Sequence, residues 1–271
     1  MRVHLYTQSL NEEAQLGFFF RHYDPWVERY IVYDDGSTDG TLDILARHGR
    51  VEVRRFRRVV PDSFVASAQR LHDTAWKESR GRADWVVITA IDEHLHHPDL
   101  PGYLARCQAA GVSMVPALGY QMVATEFPPP DTTLCQALTW GTAFKGMNKL
   151  SLFAPDRLRE TRFAPGRHAA TPTGDLVCPE RDELLLLHYK YLGLDYLVRR
   201  QAMLSAGLGA RDMERGWGRQ YTLPEAENAT RFERLRKRAI DTAAPGLDHH
   251  DWNPTPRWWR EEGVCRFAPV A

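Results

Sequence analysis

The chain carries no net charge, because its 35 lysines and arginines balance its 35 aspartates and glutamates. Nucleic-acid-binding proteins normally show an excess of basic residues, so this balance argues against a nucleic acid partner. Short basic runs occur at residues 54–58 and 234–238. They are interpreted first as solvated surface and second as contacts to a phosphate or an anionic acceptor.

Cysteines are few and far apart in the sequence. Cys107, Cys135, Cys178 and Cys265 form no CxxC pair, which excludes a zinc ribbon. A disulfide framework is typical of much smaller secreted chains. The thiols are therefore expected to be reduced, as in the cytoplasm.

Long hydrophobic runs are also missing. The longest apolar stretches, residues 86–91 and 184–187, are far shorter than the roughly 20 residues that a membrane-spanning helix needs. No signal-peptide pattern follows Met1. The sequence predicts a cytoplasmic protein and leaves open a peripheral association with the inner face of a membrane.

The first hundred residues alternate between strand and helix patterns. Strands are predicted at residues 3–7, 30–33, 51–56 and 85–91, and amphipathic helices between them. This alternation predicts the α/β class, with a mostly parallel sheet and helices on both faces.

Acidic residues follow two of these strands. Asp34 and Asp35 come after the second strand, and Asp92 comes after the fourth. Because right-handed crossovers place the carboxyl ends of parallel strands along one edge of a sheet, these carboxylates should share that edge. Open α/β sheets bind their ligands there.

The run Asp-Asp-Gly-Ser-Thr-Asp-Gly-Thr at residues 34–41 resembles the first signature of the family 2 glycosyltransferases, which are nucleotide-sugar enzymes of GT-A fold. The resemblance implies one GT-A domain over residues 1–243, with a nucleotide-binding half (1–110), an acceptor half (111–243) and a tail at 244–271. It also implies metal-dependent, inverting transfer from a UDP-sugar to a saccharide or lipid-linked acceptor, as in polysaccharide biosynthesis.

The metal motif of that family is Asp-x-Asp, and two alignments of it remain open here. In the first, Ala90 replaces the first acid and Asp92 is the ligand; in the second, Asp92 and His94 form an Asp-x-His variant. The resemblance also implies a histidine ligand after a later strand, which is His188. The implied set is Asp92, His94 and His188, and it would hold Mn²⁺, or Mg²⁺ if only oxygen ligands are used.

The resemblance assigns further residues to the nucleotide and its diphosphate. Asp34 is expected to contact the uracil or ribose. The other expected donor contacts are Thr7, Asn11, Glu12, Asp35, Lys149 and Lys190. Three alternatives stay open: Glu12 as a first-turn helix carboxylate, Asp35 as a turn residue and Lys190 as a solvated cation. Asp39 is interpreted as a helix cap.

A general base must deprotonate the acceptor hydroxyl. The family's Glu-Asp motif has no clean copy here, and the candidates are Glu126, His168, Asp175, Asp182 and Glu183. Of these candidates, His168 and Asp182 are predicted to be the catalytic residues. Trp140, Trp217, Tyr221 and Trp252 are either sugar-stacking or packing residues.

Two other classes compete with the enzyme. Ala90 and the missing Glu-Asp motif favour a nucleotide-sugar-binding protein without catalysis. A nucleotidyltransferase normally has a glycine-rich loop after its first strand, and residues 7–11 contain no glycine. The sequence does not predict the sugar, the acceptor or the oligomeric state.

Overall fold

The computed structural model describes residues 1–270. Its strands are β1 (Val3–Ser9), β2 (Arg29–Asp34), β3 (Val51–Arg55), β4 (Trp85–Ile88), β5 (Glu93–His96), β6 (Met114–Ala124), β7 (Trp140–Ala143), β8 (Lys149–Phe153), β9 (Leu158–Glu160), β10 (Thr173–Gly174), β11 (Val177–Pro179), β12 (Leu185–Leu192), β13 (Ile240–Asp241) and β14 (Arg266–Ala268).

Its α-helices are α1 (Glu13–Tyr23), α2 (Thr41–Arg47), α3 (Phe64–Thr74), α4 (Leu100–Ala109), α5 (Leu134–Ala137), α6 (Leu194–Ala206), α7 (Ala210–Glu214), α8 (Glu225–Arg238) and α9 (His249–Trp252). No helix within residues 1–270 is both long enough and apolar enough to cross a bilayer.

A 10-stranded sheet organises the fold. Its order is β13-β7-β6-β8-β4-β1-β2-β3, and β12 pairs with both β6 and β5. The pairs β1–β2, β1–β4, β2–β3 and β6–β12 are parallel. Strands β5, β7 and β8 run against the common direction of the others. The predicted α/β fold with a mostly parallel sheet is therefore confirmed.

Strand β4 shows why the sheet is covered on both faces. All four of its residues are buried, as expected for a strand in the parallel part of a sheet. Trp85 and Val87 belong to a core that includes Phe19 of α1, whereas Val86 and Ile88 belong to a second core that includes Trp76. Alternate side chains of one strand thus supply both hydrophobic cores.

The strand directions place the acidic strand ends on one edge of the sheet. Ser9 pairs with Asp34, and Tyr6 pairs with Ile88, so β1, β2 and β4 end close together. The chain turns at Asp92 and returns as β5, a strand that was not predicted from the sequence. Strand β5 forms because it finds an antiparallel partner in the apolar β12.

The C-terminal tail is attached to the domain through Asp182. The carboxylate of Asp182 is fully buried and accepts hydrogen bonds from Arg257 Nη1 (2.9 Å), Trp259 Nε1 (2.9 Å) and Arg260 Nη2 (2.7 Å). Strand β14 also pairs with β11. The prediction that Asp182 is a catalytic base is therefore wrong, because both carboxylate oxygens are used inside the protein.

The substitution Asp182→Ala should destabilise the fold by about 3 kcal/mol, because it leaves two arginines without their buried partner. Urea denaturation of the variant measures the loss. Glu180→Ala, at an exposed position nearby, is the matched control. Equal stability of the two variants would contradict the structural role of Asp182.

Candidate functional site

Asp92 and His188 form a close pair near the edge of the sheet where β1, β2 and β4 end; this edge is called the ligand edge below. Asp92 Oδ2 lies 3.4 Å from His188 Nε2, and both side chains are almost buried. The backbone N–H of Tyr189 donates to the carbonyl of Asp92 at 2.7 Å, which fixes the turn against β12. Burial alone would raise the pKa of Asp92, but the charge and hydrogen bond of His188, helped by Arg200, hold that pKa well below its usual 3.8.

The other ring nitrogen of His188 is also engaged. Nδ1 lies 2.8 Å from Oε1 of Gln121, its register partner on β6. With Oε1 as acceptor, Nδ1 carries a hydrogen; Nε2 then presents its lone pair to Asp92 in the neutral ring and donates to Asp92 in the protonated ring. Two acceptors that face each other at this distance favour a proton or a metal cation between them.

The pair fits a divalent metal that takes its other ligands from a bound molecule. Carboxylate and imidazole are ligands that Mn²⁺ accepts, and phosphate oxygens commonly complete such sites. Within residues 1–270, no group of three or more His, Cys, Asp or Glu side chains is arranged to hold a metal. The predicted three-residue set is therefore not assembled.

His94 is the member of that set whose side chain does not join Asp92 and His188. Neighbouring residues of a strand face opposite sides, and Glu93 is the one that reaches the charged groups of the site. His94 is 1% exposed, its ring stacks on His22 with centroids 4.6 Å apart, and it contacts the ring of Tyr189. The prediction that His94 is a metal ligand is wrong.

Glu93 is the centre of a buried ion-pair cluster. Its Oε1 accepts from Lys149 Nζ at 2.6 Å, and its Oε2 accepts from Arg167 Nη2 at 2.5 Å. Arg167 Nη1 also donates to the carbonyl of Ile88 at 2.7 Å. Burial raises the pKa of Glu93, but the two cations outweigh it and keep this carboxyl ionised. The predicted diphosphate contact of Lys149 is corrected, because its ammonium is buried and bound to Glu93.

Two basic residues lie beside the Asp92–His188 pair. Arg200 on α6 forms a buried ion pair with Glu12. Burial still raises the pKa of Glu12 to about 7, against the opposing effect of Arg200. Arg200 therefore holds Glu12 through Oε1, whereas its buried Oε2 has no hydrogen-bond partner within residues 1–270, and the donor contact of Glu12 stays a prediction.

Lys190 is the second of these basic residues and has no ion-pair partner within residues 1–270. Its Nζ lies 4.8 Å from the ring centroid of Tyr221. Burial lowers the pKa of Lys190 to about 8, although the charge of Asp92 opposes this shift. A buried cation beside a carboxylate–imidazole pair is suited to binding an anion.

The Asp34 carboxylate stabilises the loop that follows β2. It accepts from Ser9 Oγ (2.9 Å), from the N–H groups of Gly36 (2.9 Å) and Ser37 (3.0 Å), and from Ser37 Oγ (2.5 Å). Burial raises its pKa, but these hydrogen bonds outweigh it and lower the pKa overall. The predicted nucleotide contact of Asp34 is corrected, because four donors of the chain occupy its two oxygens.

Neighbouring predicted residues also have structural partners. Asn11 Oδ1 accepts from the N–H of Thr38 at 2.7 Å, and Asp35 Oδ2 accepts from Arg58 Nη2 at 2.8 Å. Asp39 Oδ1 accepts from the N–H of Thr41 at 3.0 Å, but the N-cap residue of α2 is Gly40 and no side chain caps this helix. The interpretation of Asp39 as a helix cap is therefore corrected: its carboxylate stabilises the turn that precedes the helix. Asn11 and Asp35 thus remain predicted donor contacts whose side chains already bind the chain itself.

No hydrogen bond within residues 1–270 joins Thr7 or His168 to the Asp92–His188 pair. Thr7 is buried in β1 beside a cavity of only about 10 Å³, which cannot hold a nucleotide. His168 is in an exposed loop, and its Nδ1 pairs with the carbonyl of Gly146. Desolvation by the surrounding chain, together with the charge of Lys149, lowers the pKa of His168 to about 4. Its role as a base stays a prediction.

Gln121 and Arg200 were not predicted from the sequence. Gln121 is a single polar side chain among apolar residues of the buried β6, and that interruption is a signal that marks it. Arg200 lies 188 positions from Glu12, and nothing in the local sequence connects the two.

Comparisons with known proteins give weak structural similarities. No protein-family model matches the chain, and no curated protein matches it. A crystal structure of glucosyl-3-phosphoglycerate synthase from Mycobacterium tuberculosis, in complex with Mn²⁺, uridine diphosphate and glucosyl-3-phosphoglycerate, is 23% identical with a TM-score of 0.30. The alignment covers 44% of each chain, so this chain spans less than half of that protein.

A crystal structure of S. aureus TarS 1–349 is 10% identical with a TM-score of 0.38, and the alignment covers 88% of this chain and 71% of that one. The same TarS fragment in complex with UDP-GlcNAc gives the same identity and TM-score, and there 72% of that chain is covered. Scores this low establish neither a family nor an activity for this protein.

The substitution His94→Phe should reduce the loss of stability in acid. Burial lowers the pKa of His94 in the folded protein well below its usual 6.5. Below pH 6.5 the unfolded state therefore binds a proton at His94, whereas the folded state does not. Stability then falls by up to about 1.4 kcal/mol per pH unit in the wild type. Urea denaturation at neutral and acidic pH measures the difference, and equal pH dependence of both proteins would contradict the placement of His94.

Proposed function

We propose that this protein is a metal-dependent glycosyltransferase of GT-A fold that transfers a sugar from a UDP-sugar to a hydroxyl acceptor. The observation that carries the proposal is the pair of Asp92 and His188, which faces the ligand edge of an α/β sheet with the unpaired cation of Lys190 beside it. The resemblance of residues 34–41 to the family 2 signature supports the same conclusion.

In this proposal Asp92 and His188 would hold Mn²⁺ or Mg²⁺, and the ion would supply positive charge that stabilises a diphosphate leaving group. Lys190 supplies a second positive charge to the diphosphate. Arg200 keeps Glu12 ionically paired and adds positive potential behind Asp92. The chain's own contribution is thus a small, partly buried site that binds a doubly charged anion.

The finer assignments extend the same proposal. The acceptor is a saccharide or a lipid-linked saccharide, transfer inverts the anomeric centre, and His168 deprotonates the acceptor. The enzyme works in the cytoplasm or at the inner face of a membrane, in polysaccharide biosynthesis. These statements follow from the family resemblance.

A binding protein without catalysis is the second candidate. The Asp34 carboxylate accepts hydrogen bonds from its own loop, and the Asp182 carboxylate accepts hydrogen bonds from the C-terminal tail. Both observations take away residues that the enzyme was expected to use. Retained nucleotide binding without turnover of any UDP-sugar would favour this candidate.

Calorimetric titration of UDP and of GDP, each with and without Mn²⁺, tests the proposal. UDP should bind only with Mn²⁺, and Asp92→Asn or His188→Ala should abolish that dependence. Asp43→Asn, at an exposed position on α2, is the control and should bind as the wild type does. Binding of GDP but not UDP would indicate that the donor is a GDP-sugar. Binding of neither nucleotide would overturn the proposed function.

The substitution Lys190→Met should weaken Mn²⁺-dependent UDP binding by about tenfold, because it removes a charged hydrogen bond to the diphosphate. Lys190→Arg should retain most of the affinity. Lys237→Met, on the exposed side of α8, serves as the control. Unchanged affinity in Lys190→Met would show that Lys190 does not contact the diphosphate.

A further inference from the structure

Gln121 and His188 meet at a place where neither side chain has easy access to water. Gln121 is 6% exposed, and the His188 side chain is 13% exposed. Their strands are parallel neighbours, and the two residues are register partners. Loss of a hydrogen bond at such a site is costly, because the remaining polar group stays buried and unsatisfied.

The Gln121 oxygen decides which nitrogen of His188 carries the hydrogen. Oε1 is an acceptor only, so with this oxygen 2.8 Å from Nδ1 the contact is a hydrogen bond only when Nδ1 carries the hydrogen. Two states place a positive charge beside Asp92: a protonated imidazole ring, or a cation bound to Nε2. Both states need Nδ1–H, so both need an acceptor at position 121.

The backbone beyond His188 gives the ring little other support. The pairing of β12 with β6 shifts register between His188 and Tyr191, so β12 carries an extra residue there. Such bulges redirect side chains and loosen the ladder locally. The hydrogen bond to Gln121 therefore sets both the rotation of the ring and its tautomer.

We infer that Gln121 is a positioning residue that fixes His188 as the Nδ1–H tautomer, with the Nε2 lone pair directed at the cation held by Asp92. This inference rests on the proposed function for the identity of the cation. The tautomer itself belongs to the metal-free protein. Outer partners of metal-binding histidines act in this way, and their loss weakens metal binding by about 10–100-fold.

Long-range ¹H–¹⁵N NMR of histidine-labelled, metal-free protein tests the tautomer, at a pH well above the usual imidazole pKa of about 6.5. The signals of His188 are those lost in His188→Asn. The wild type and Gln121→Glu, which keeps an acceptor, should show Nδ1–H, and Gln121→Leu should shift His188 toward Nε2–H. Gln108→Leu, at an exposed position on α4, is the matched control and should leave His188 unchanged.

Titration of Mn²⁺ in the presence of UDP supplies the second readout. Gln121→Leu should bind Mn²⁺ about 10–100-fold more weakly than the wild type, and Gln121→Glu should restore binding. Circular dichroism shows whether each variant is folded, and rescue by Gln121→Glu separates positioning from packing. A wild-type His188 in the Nε2–H form, or a Gln121→Leu variant with unchanged tautomer and affinity, would overturn the inference.

The experiments distinguish a failure of the proposed function from a failure of the inference about Gln121. If the wild type binds no Mn²⁺ with UDP, the metal-dependent enzyme is excluded, whereas the NMR measurement still decides the role of Gln121. If Mn²⁺ binds to the wild type and Gln121→Leu equally well, only the positioning role is lost.

Discussion

The insertion of β12 between β5 and β6 is the constraint on which the candidate site depends. This one strand is antiparallel to β5 and parallel to β6, so it joins the turn after β4 to the second half of the sheet. His188 is placed opposite Glu93 on one side and Gln121 on the other. Without that pairing, Asp92 would end a strand with no imidazole beside it, and the two parts of the sheet would present unrelated edges.

Each acid of the site has a basic partner of its own. Glu93 is neutralised by Lys149 and Arg167, Glu12 by Arg200, and Asp92 faces His188. Removing charges from water costs several kcal/mol for each ion unless partners are close. The pairings keep the pKa values of Glu93 and Asp92 below their usual values, whereas burial still raises the pKa of Glu12 to about 7. Among the residues 1–270 that the structure describes, Lys190 has no such partner, and we propose that it binds the anionic ligand.

The sequence was sufficient for the alternating half of the fold, because apolar runs there alternate with amphipathic helix patterns. The apolar runs before Asp92 and His188 led to the expectation that these residues belong to one site, and their roles as metal ligands stay predictions. The sequence was not sufficient for His94, since β5 is a strand only through its pairing with β12, and adjacent strand residues then face opposite sides. Asp182 could not be assigned either, because its partners come from a tail 75 or more residues away, as in the pair with Arg257. Long-range partners of this kind leave no local pattern.

The central claim is that Asp92 and His188 together hold a divalent metal that a nucleoside diphosphate completes. Crystals grown with Mn²⁺ and UDP, with diffraction measured at the manganese absorption edge, test it most directly. The account predicts one strong anomalous peak within coordination distance of both Asp92 Oδ2 and His188 Nε2, with the diphosphate oxygens on its open side. UDP bound without such a peak, or manganese bound elsewhere on the protein, would contradict the account.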